Sequence, residues 1–311
     1  MNINPDYLIE RKRDKRQIIK WKLFSLMVII FLLFNLGNKL QLPSASNFGP
    51  SMTAAQKDRI ASIKIQEIIF DDLERVKNLA ALAEDKSVKA LLVNINSPGG
   101  SVVGSEMLYN TLKKIAKSKP VVVVMGSLAA SGGYLIALGG DYIVAHNGTL
   151  TGSIGVIMQS AEVTELAERL GIKFDNFKSD ALKASPNPTE KVTPEVRQAT
   201  MESIYQVYDY FIEQVALRRK LDLNYVRKIA DGRVYSGRQA LELKLVDAIG
   251  DQDTALEWLY TVKNIPKTLD IVDTKLKPKE RFIDVLLEDF QTKIASYFQS
   301  GFAGFKALIW Q

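Results

Sequence analysis

The sequence contains no cysteine and only one histidine, His146, among its 311 residues. The lack of cysteine excludes a disulfide-stabilised fold, a thiol nucleophile and any metal or iron–sulfur site with cysteine ligands. A single histidine excludes a metal site built from several histidines, and any Ser-His-Asp triad would have to use it. His146 lies in a polar turn with Asn147 and Gly148, where a histidine is more often exposed than catalytic.

Excess charge of one sign is also nearly absent from most of the chain. The net charge is +6, but the first 22 residues hold seven basic residues against three acidic ones, which leaves +2 for the other 289. A body with so little positive charge is not a nucleic-acid binder. The composition, 47% hydrophobic and 24% charged, is that of a globular protein and not of a disordered chain.

An uncharged apolar stretch, residues 23–36, follows the basic segment. It is shorter than the ~20 residues of a usual membrane span, but Trp21 and Lys22 extend it at the interface. Two interpretations are open: an uncleaved signal anchor, which the long basic flank favours, or a signal peptide cleaved near Ser44-Ala45-Ser46. The positive-inside rule places the basic head in the cytoplasm and the body outside the inner membrane.

Beyond residue 60, short apolar runs alternate with segments of helical spacing. Two runs, 88–95 and 120–125, are continuous enough to be strands buried on both faces, and each ends at a glycine-containing turn. A further strand is predicted at 142–145. The predicted helices are 71–84, 101 to about 117, 193–221 and 223–229. This alternation predicts a layered α/β fold with parallel strands.

Two glycine-rich turns follow these strands, at the edge where open α/β sheets usually bind ligands. The turn Ser97-Pro98-Gly99-Gly100-Ser101 could aim backbone N–H groups into a cavity, as an oxyanion requires, or it could be only a tight connection. Ser131 precedes Gly132 and Gly133 at a predicted helix start, where a serine is either an exposed nucleophile or an ordinary N-cap.

A serine nucleophile needs a base, and with His146 unsuited the next candidate is a lysine kept neutral by burial. Lys183 is flanked by small and apolar residues and is the first candidate, and Lys178 is the second. Either could instead be a solvated loop lysine, and the residue pattern alone does not decide between them.

Five motifs in combination resemble the short, single-copy form of signal peptide peptidase A, a family of membrane-anchored Ser/Lys serine proteases. The motifs span Asn96–Ser101, Gly126–Tyr134, Thr149–Val156, Ala230–Ala240 and Leu245–Asp247. The resemblance covers about residues 60–250 and the N-terminal anchor. It implies a Clp protease/crotonase-like α/β fold of repeated β-β-α units, with a transmembrane anchor before it and a C-terminal amphipathic helix after it.

The resemblance also implies roles for individual residues. Ser131 matches the nucleophile, Lys183 the general base, and Ser153 the serine that orients this lysine. The oxyanion hole would be formed by Gly132 with Gly99 or Gly100. No metal and no cofactor is implied.

The lysine motif departs from the family pattern at two positions. Asp180 stands where the family has glycine, and Ala184 where it has aspartate. An acidic neighbour at Asp180 could hold the Lys183 amine protonated. These departures keep an inactive membrane-anchored scaffold as one alternative to a protease. A crotonase-like acyl-CoA enzyme is the other alternative, because that class shares the oxyanion architecture.

The expected partners are peptides, the membrane and other copies of the chain. By resemblance the substrates are remnant signal peptides and small or unfolded polypeptides. Long family members carry two related copies in tandem, with the serine and lysine of a site on different copies. A single-copy chain would need neighbouring protomers to supply those halves, which predicts a ring homo-oligomer, an octamer by resemblance, with shared active sites.

The sequence thus divides into five predicted parts. The last of them has aromatic and aliphatic residues on one helical face, which predicts a subunit contact or an element lying on the membrane surface. The parts are a basic cytoplasmic head (1–22), a transmembrane anchor (23–37), a linker (38–59), a peptidase domain (60–275) and an amphipathic tail (276–311).

Overall fold

Eight strands form one sheet in the computed structural model of the chain, which describes residues 57–276. The strands are β1 (Arg59–Ile69), β2 (Val88–Gly100), β3 (Val121–Ala130), β4 (Tyr142–Ala145), β5 (Leu150–Gly152), β6 (Val234–Ser236), β7 (Ala248–Ile249) and β8 (Asp270–Asp273). The helices are α1 (Leu73–Glu84), α2 (Val102–Ile115), α3 (Gly132–Ala137), α4 (Thr164–Arg169), α5 (Pro194–Arg219), α6 (Leu223–Ile229), α7 (Gly237–Glu242) and α8 (Gln252–Thr261). The mixed α/β class agrees with the prediction.

The sheet is parallel except at one edge. The strand order is β6-β5-β3-β2-β1-β8, and β4 pairs with β3 and with β7. Only the β5–β6 pair is antiparallel among the described strands. The strand β3 forks: its first half pairs with β4 and its second half with β5. The fork brings the carboxyl ends of β2, β3 and β5 together.

The long strands are interrupted near their middles. The register between β2 and β3 shifts between Ile95 and Ser97, and there the Asn96 side chain accepts a hydrogen bond from the Leu128 N–H at 3.1 Å. This bond replaces a ladder bond, so β3 continues past Gly126 instead of ending there. A similar shift interrupts the β1–β2 pair. Helices α1, α2 and α3 follow β1, β2 and β3 directly, so a strand–helix pattern occurs three times.

Both faces of the sheet are buried, which explains the uninterrupted apolar runs. In β3, Val121 and Val123 pack on the face that α2, α3 and α5 cover, whereas Val122 and Val124 pack on the face that α8 covers. Successive side chains of a strand point to opposite faces, so a strand covered on both sides needs apolar residues at every position.

Helix α5 fixes the end of α3, and so the segment that begins at Ser131. The Arg218 guanidinium donates to the carbonyls of Leu138 at 2.7 Å and Gly140 at 2.8 Å, just after α3. Within α3, the buried Tyr134 hydroxyl donates to the Leu245 carbonyl at 2.9 Å, and burial raises the pKa of this tyrosine. These bonds hold α3 in place behind the site.

Four of the five predicted parts lie partly or wholly outside the described residues. They are the head (1–22), the anchor (23–37), the linker (38–59) up to residue 56, and all but the first residue of the tail (276–311). Among the helices within residues 57–276, none combines the length and hydrophobicity that a membrane crossing needs. The strands predicted to end at residues 95 and 125 are longer than expected, because β2 and β3 continue through the interruptions described above.

Candidate active site

Ser131 occupies a strained turn between β3 and α3. Its φ of +53° and ψ of −120° are rare for a residue with a side chain, and such strain costs on the order of 1–3 kcal/mol. The turn is held because the Ser131 N–H donates to the Gly152 carbonyl at 2.9 Å. Ser131 is the N-cap residue of α3, yet its side chain makes no capping hydrogen bond. The half-buried hydroxyl is therefore not used to cap the helix.

The predicted oxyanion-hole glycines lie against Ser131. A Cβ atom placed on Gly99 would be 2.6 Å from the Gly132 nitrogen and 3.1 Å from the Ser131 Cβ, and one placed on Gly132 would be 3.3 Å from the Gly100 nitrogen. Only glycine allows this approach at position 99, where φ is +99°. The two glycine-rich turns thus form one site.

The hydrogen bonds of the turn favour Gly100 over Gly99 as the second donor. The Gly99 N–H already donates to the Ser97 hydroxyl at 3.1 Å. The Ser101 N–H points to β1 and donates to the Ile69 carbonyl at 2.8 Å. Successive N–H groups of an extended chain point to opposite sides, so the Gly100 N–H faces away from β1 and towards Ser131.

Ser97 holds this turn, a role that was not predicted from the sequence pattern. Its side chain is fully buried, and its hydroxyl donates to the Glu67 carbonyl while it accepts the Gly99 N–H. A serine bonded to the N–H two residues ahead is a recognised turn motif, so the Ser-Pro-Gly spacing carried a signal for it.

Ser153 emerges beside Ser131. In the β3–β5 ladder, Ala130 is the partner of Gly152, so Ser131 and Ser153 directly follow two paired residues at the ends of neighbouring parallel strands. Ser153 is half-buried, has a φ of +48° and donates its N–H to the Arg233 carbonyl at 2.8 Å. Its position agrees with a role next to the nucleophile.

Lys183 lies elsewhere, on an exposed turn of the long segment between β5 and α5. The turn is closed by bonds from its N–H to the Asp180 carbonyl (3.1 Å) and from the Ser185 N–H to the Leu182 carbonyl (3.2 Å). Within residues 57–276 the Lys183 amine has no hydrogen bond or ion pair, so a single chain does not join it to Ser131. The Asp180 carboxylate does not pair with the Lys183 amine, and it accepts a hydrogen bond from the Leu182 N–H at 3.5 Å.

The other candidate bases are less suitable. Lys178 forms an ion pair with Glu190, donates to the Ser185 hydroxyl at 2.9 Å, and exposes only 15% of its side chain. Its amine is therefore engaged by side chains of its own segment and is a poorer candidate than the Lys183 amine. His146 is exposed in its turn, and its ring has no hydrogen-bond partner among the described residues.

No cluster of three or more potential metal ligands occurs in the part of the chain that the structure describes. The acidic and histidine side chains between residues 57 and 276 therefore offer no ready metal centre. What the arrangement can do chemically depends on the hydroxyl of Ser131 and the N–H groups around it.

Comparison with known proteins shows to which family a chain with this site belongs. The model of peptidase family S49 matches residues 113–266, which include Ser131, Ser153 and Lys183, and the Clp protease model matches residues 51–169. A candidate protease of Synechocystis sp. is 36% identical over 231 residues, which cover 74% of this chain and 83% of that protein. The chain belongs to peptidase family S49.

Two further relatives of this S49 chain are longer than the matched part. A candidate protease of Methanocaldococcus jannaschii is 39% identical over 63% of this chain and 60% of its own length. A candidate signal peptide peptidase SppA of Enterococcus faecium is 40% identical over 60% of this chain and 55% of its own length. These matches confirm the resemblance drawn from the motifs, and the Clp protease match gives the α/β domain its fold family.

Proposed function

We propose that the chain is a serine endopeptidase that uses Ser131 as its nucleophile and Lys183 as its general base. The observation that carries this proposal is the juxtaposition of an uncapped Ser131 hydroxyl with the Gly132 and Gly100 nitrogens at the carboxyl ends of neighbouring strands, in a chain of peptidase family S49. In this scheme Ser153 orients the lysine, and the Gly99 turn presents the second oxyanion donor.

The reaction proceeds by acyl transfer. Neutral Lys183 takes the proton of the Ser131 hydroxyl while the oxygen bonds to the peptide carbonyl carbon, and the Gly132 and Gly100 N–H groups bind the oxyanion that forms. Collapse breaks the C–N bond, and Lys183 returns the proton to the leaving amine. Water then gives a proton to Lys183 as its oxygen bonds to the ester carbonyl carbon, and Lys183 returns that proton to the Ser131 oxygen as the C–O bond of the ester breaks. Removal of one oxyanion donor typically costs ~10²–10³ in rate.

The substrates in this proposal are remnant signal peptides and small or unfolded polypeptides. Exposed apolar side chains surround the Gly99–Gly100 turn: Ile68, Phe70, Val102 and Val103. Such a rim suits apolar peptide segments. The strand β6 pairs on one side only among the described strands, so an extended substrate could add its backbone along an open edge.

Assembly into a ring with shared sites is part of the proposal, an octamer by family resemblance. All hydrogen bonds of residues 156–191 that join described residues stay within that segment. The segment nevertheless exposes several large apolar side chains: Ile157, Met158, Leu166, Leu170, Ile172, Phe174 and Phe177. We infer that a neighbouring protomer covers this surface and receives Lys183 beside its own Ser131.

Anchoring in the inner membrane by residues 23–37, with the body outside, is proposed from the sequence alone. A protease added to spheroplasts is expected to degrade the body and to spare residues 1–20. A mature N-terminus near Asn47 would instead show a cleaved signal peptide.

An inactive scaffold is the second candidate, because the Lys183 amine is unpaired within residues 57–276 and Asp180 and Ala184 depart from the family pattern. A crotonase-like acyl-CoA activity has no such observation in its favour. Fluorophosphonate labelling and casein cleavage separate the two candidates. The wild type and Ser127→Ala, which changes an exposed serine of β3, should react, and Ser131→Ala should not. Failure of the wild type in both assays would support the scaffold.

A further inference from the structure

A network of polar side chains surrounds the turn that carries Lys183. One carboxylate oxygen of Glu190 accepts from the Lys178 amine, from the Asn187 side-chain amide at 2.9 Å and from the Ser185 hydroxyl at 3.3 Å. Hydrogen bonds from charged donors are the strong ones, and the bond from Lys178 is the main reason why the pKa of Glu190 lies below its ordinary value.

The donors of this network also hold the backbone on both sides of Lys183. On the N-terminal side, the Lys178 amine lies 3.4 Å from the Ala181 carbonyl oxygen. On the C-terminal side, the Asn187 amide donates to the Ala184 carbonyl at 3.1 Å. Ala184 has a φ of +59°, a conformation that a residue with a side chain keeps only when its surroundings impose it.

Little else within the described chain holds this turn. The segment 156–191 has no hydrogen bond to the rest of residues 57–276, and Lys183 itself is exposed. The direction of the Lys183 side chain therefore depends on the network that converges on Glu190.

We propose that Glu190 is a positioning residue for the general base, which it holds in register through Lys178, Ser185 and Asn187. This inference rests on the proposed role of Lys183. It assigns the second lysine a task as well: Lys178 is the cation that Glu190 binds, and not an alternative base.

The Lys178–Glu190 ion pair should also influence the protonation of Lys183, an effect that a purely structural contact would not have. Lys178 and Glu190 carry opposite charges that cancel each other beside the turn. Loss of Glu190 leaves an unpaired cation and makes protonation of Lys183 less favourable. Loss of Lys178 leaves an unpaired anion and makes it more favourable.

The test compares Glu190→Gln, Glu190→Asp and Lys178→Met, with Glu168→Gln as a matched control on an exposed residue of the same segment. In the assembled enzyme we expect Glu190→Gln to lower kcat for a small ester substrate roughly tenfold or more, with KM little changed, since a ~1 Å misplacement costs up to ~10²-fold. Glu190→Asp should recover part of this loss. The midpoint of the pH–rate profile should fall in Glu190→Gln and rise in Lys178→Met.

Two further measurements separate the ways in which this inference can fail. If Lys183→Ala keeps its activity, the proposed base is wrong and the inference falls with it. If Lys183→Ala is inactive but Glu190→Gln matches Glu168→Gln in kcat and midpoint, only the positioning role is overturned. Hydrogen exchange of residues 178–190 covers the case of an inactive Glu190→Gln: faster exchange there, with an unchanged sheet, supports the inference, and loss of protection throughout the sheet overturns it.

Discussion

Gly99 lies so close to Gly132 that position 99 tolerates no side chain. A Cβ at Gly99 would lie 2.6 Å from the Gly132 nitrogen, one of the two N–H groups assigned to the oxyanion. These residues lie on different turns, 33 positions apart, and β2 and β3 bring them together. The contact explains the glycine at position 99, whereas a Cβ at Gly132 would lie 2.2 Å from the Ser105 hydroxyl oxygen.

We expect Gly99→Ala to inactivate the enzyme. The new methyl group would displace the Gly132 N–H, and alanine also disfavours the φ of +99°. Loss of one oxyanion donor predicts a fall of ~10²–10³ in kcat. Gly148→Ala is the control, because a Cβ there meets no atom within 4 Å. Normal activity of Gly99→Ala in a peptide hydrolysis assay would exclude this turn from the site.

The local pattern of the sequence predicted the buried strands, the helices that follow them and the two glycine turns. It could not predict that β2 and β3 continue beyond residues 95 and 125, because that depends on Asn96 bonding to Leu128 on a neighbouring strand. The ion pair of Lys178 with Glu190 was missed for the same reason: twelve residues separate them, and no periodicity marks the contact.

Lys183→Ala should abolish hydrolysis, whereas His146→Ala should keep most of the activity and Lys191→Ala should behave like the wild type. The pre-steady-state acylation rate should rise with pH, because only a deprotonated lysine can accept the Ser131 proton. An inactive His146→Ala together with an active Lys183→Ala would reverse the assignment of the base. A flat profile from neutral to alkaline pH would also count against a lysine.

Asp247→Asn should destabilise the domain through Arg219. Both carboxylate oxygens of Asp247 accept from this guanidinium, at 2.8 and 2.9 Å, and one also accepts the Ile143 N–H. The Arg219 side chain is only 10% exposed, so we expect a loss of about 2–3 kcal/mol in the free energy of unfolding, less than for a fully buried pair.

Thermal unfolding should show this loss as a fall in Tm of about 5–10 °C. The exposed pair of Glu257 with Lys267 provides the control, because Glu257→Gln should cost less than about 1 kcal/mol. Equal losses of unfolding free energy in the two variants would show that the Arg219–Asp247 pair stabilises the domain no more than the exposed pair does.

Acid should loosen the Lys183 turn only at low pH. The hydrogen bond from Lys178 keeps the pKa of Glu190 below its ordinary value, so the network is fully present above the usual carboxyl pKa of ~4.3. It is lost as the pH falls through the lowered folded value. Hydrogen exchange of residues 178–190, corrected for the intrinsic rate, should therefore be constant from pH 6 to 5 and accelerate only below the ordinary carboxyl pKa of ~4.3. Glu190→Gln should show no such acceleration of exchange. An acceleration between pH 6 and 5 in the wild type would contradict its assignment to protonation of Glu190.

The shared-site ring makes the most distinctive prediction. Ser131→Ala and Lys183→Ala are each expected to be inactive alone, because each lacks one half of the catalytic pair. If each site takes Ser131 from one protomer and Lys183 from its neighbour, random co-assembly of the two variants creates some sites with both residues intact. Mixing by denaturation and refolding, or by co-expression, should then restore part of the wild-type activity. Co-assembly is verified by pulling down one variant through an affinity tag on the other.

The same mixture distinguishes an active site shared by two protomers from one formed within a single protomer. Two copies of Ser131→Ala carrying different tags, co-assembled in the same way, provide the control and should stay inactive. Recovered activity that vanishes when the rings dissociate would favour the shared site. In that case Lys183 would reach a Ser131 hydroxyl only while a neighbouring protomer is present. Proven co-assembly without any recovery would place Ser131 and Lys183 of one chain in the same site, and residues 156–191 would have to fold back towards their own sheet during catalysis.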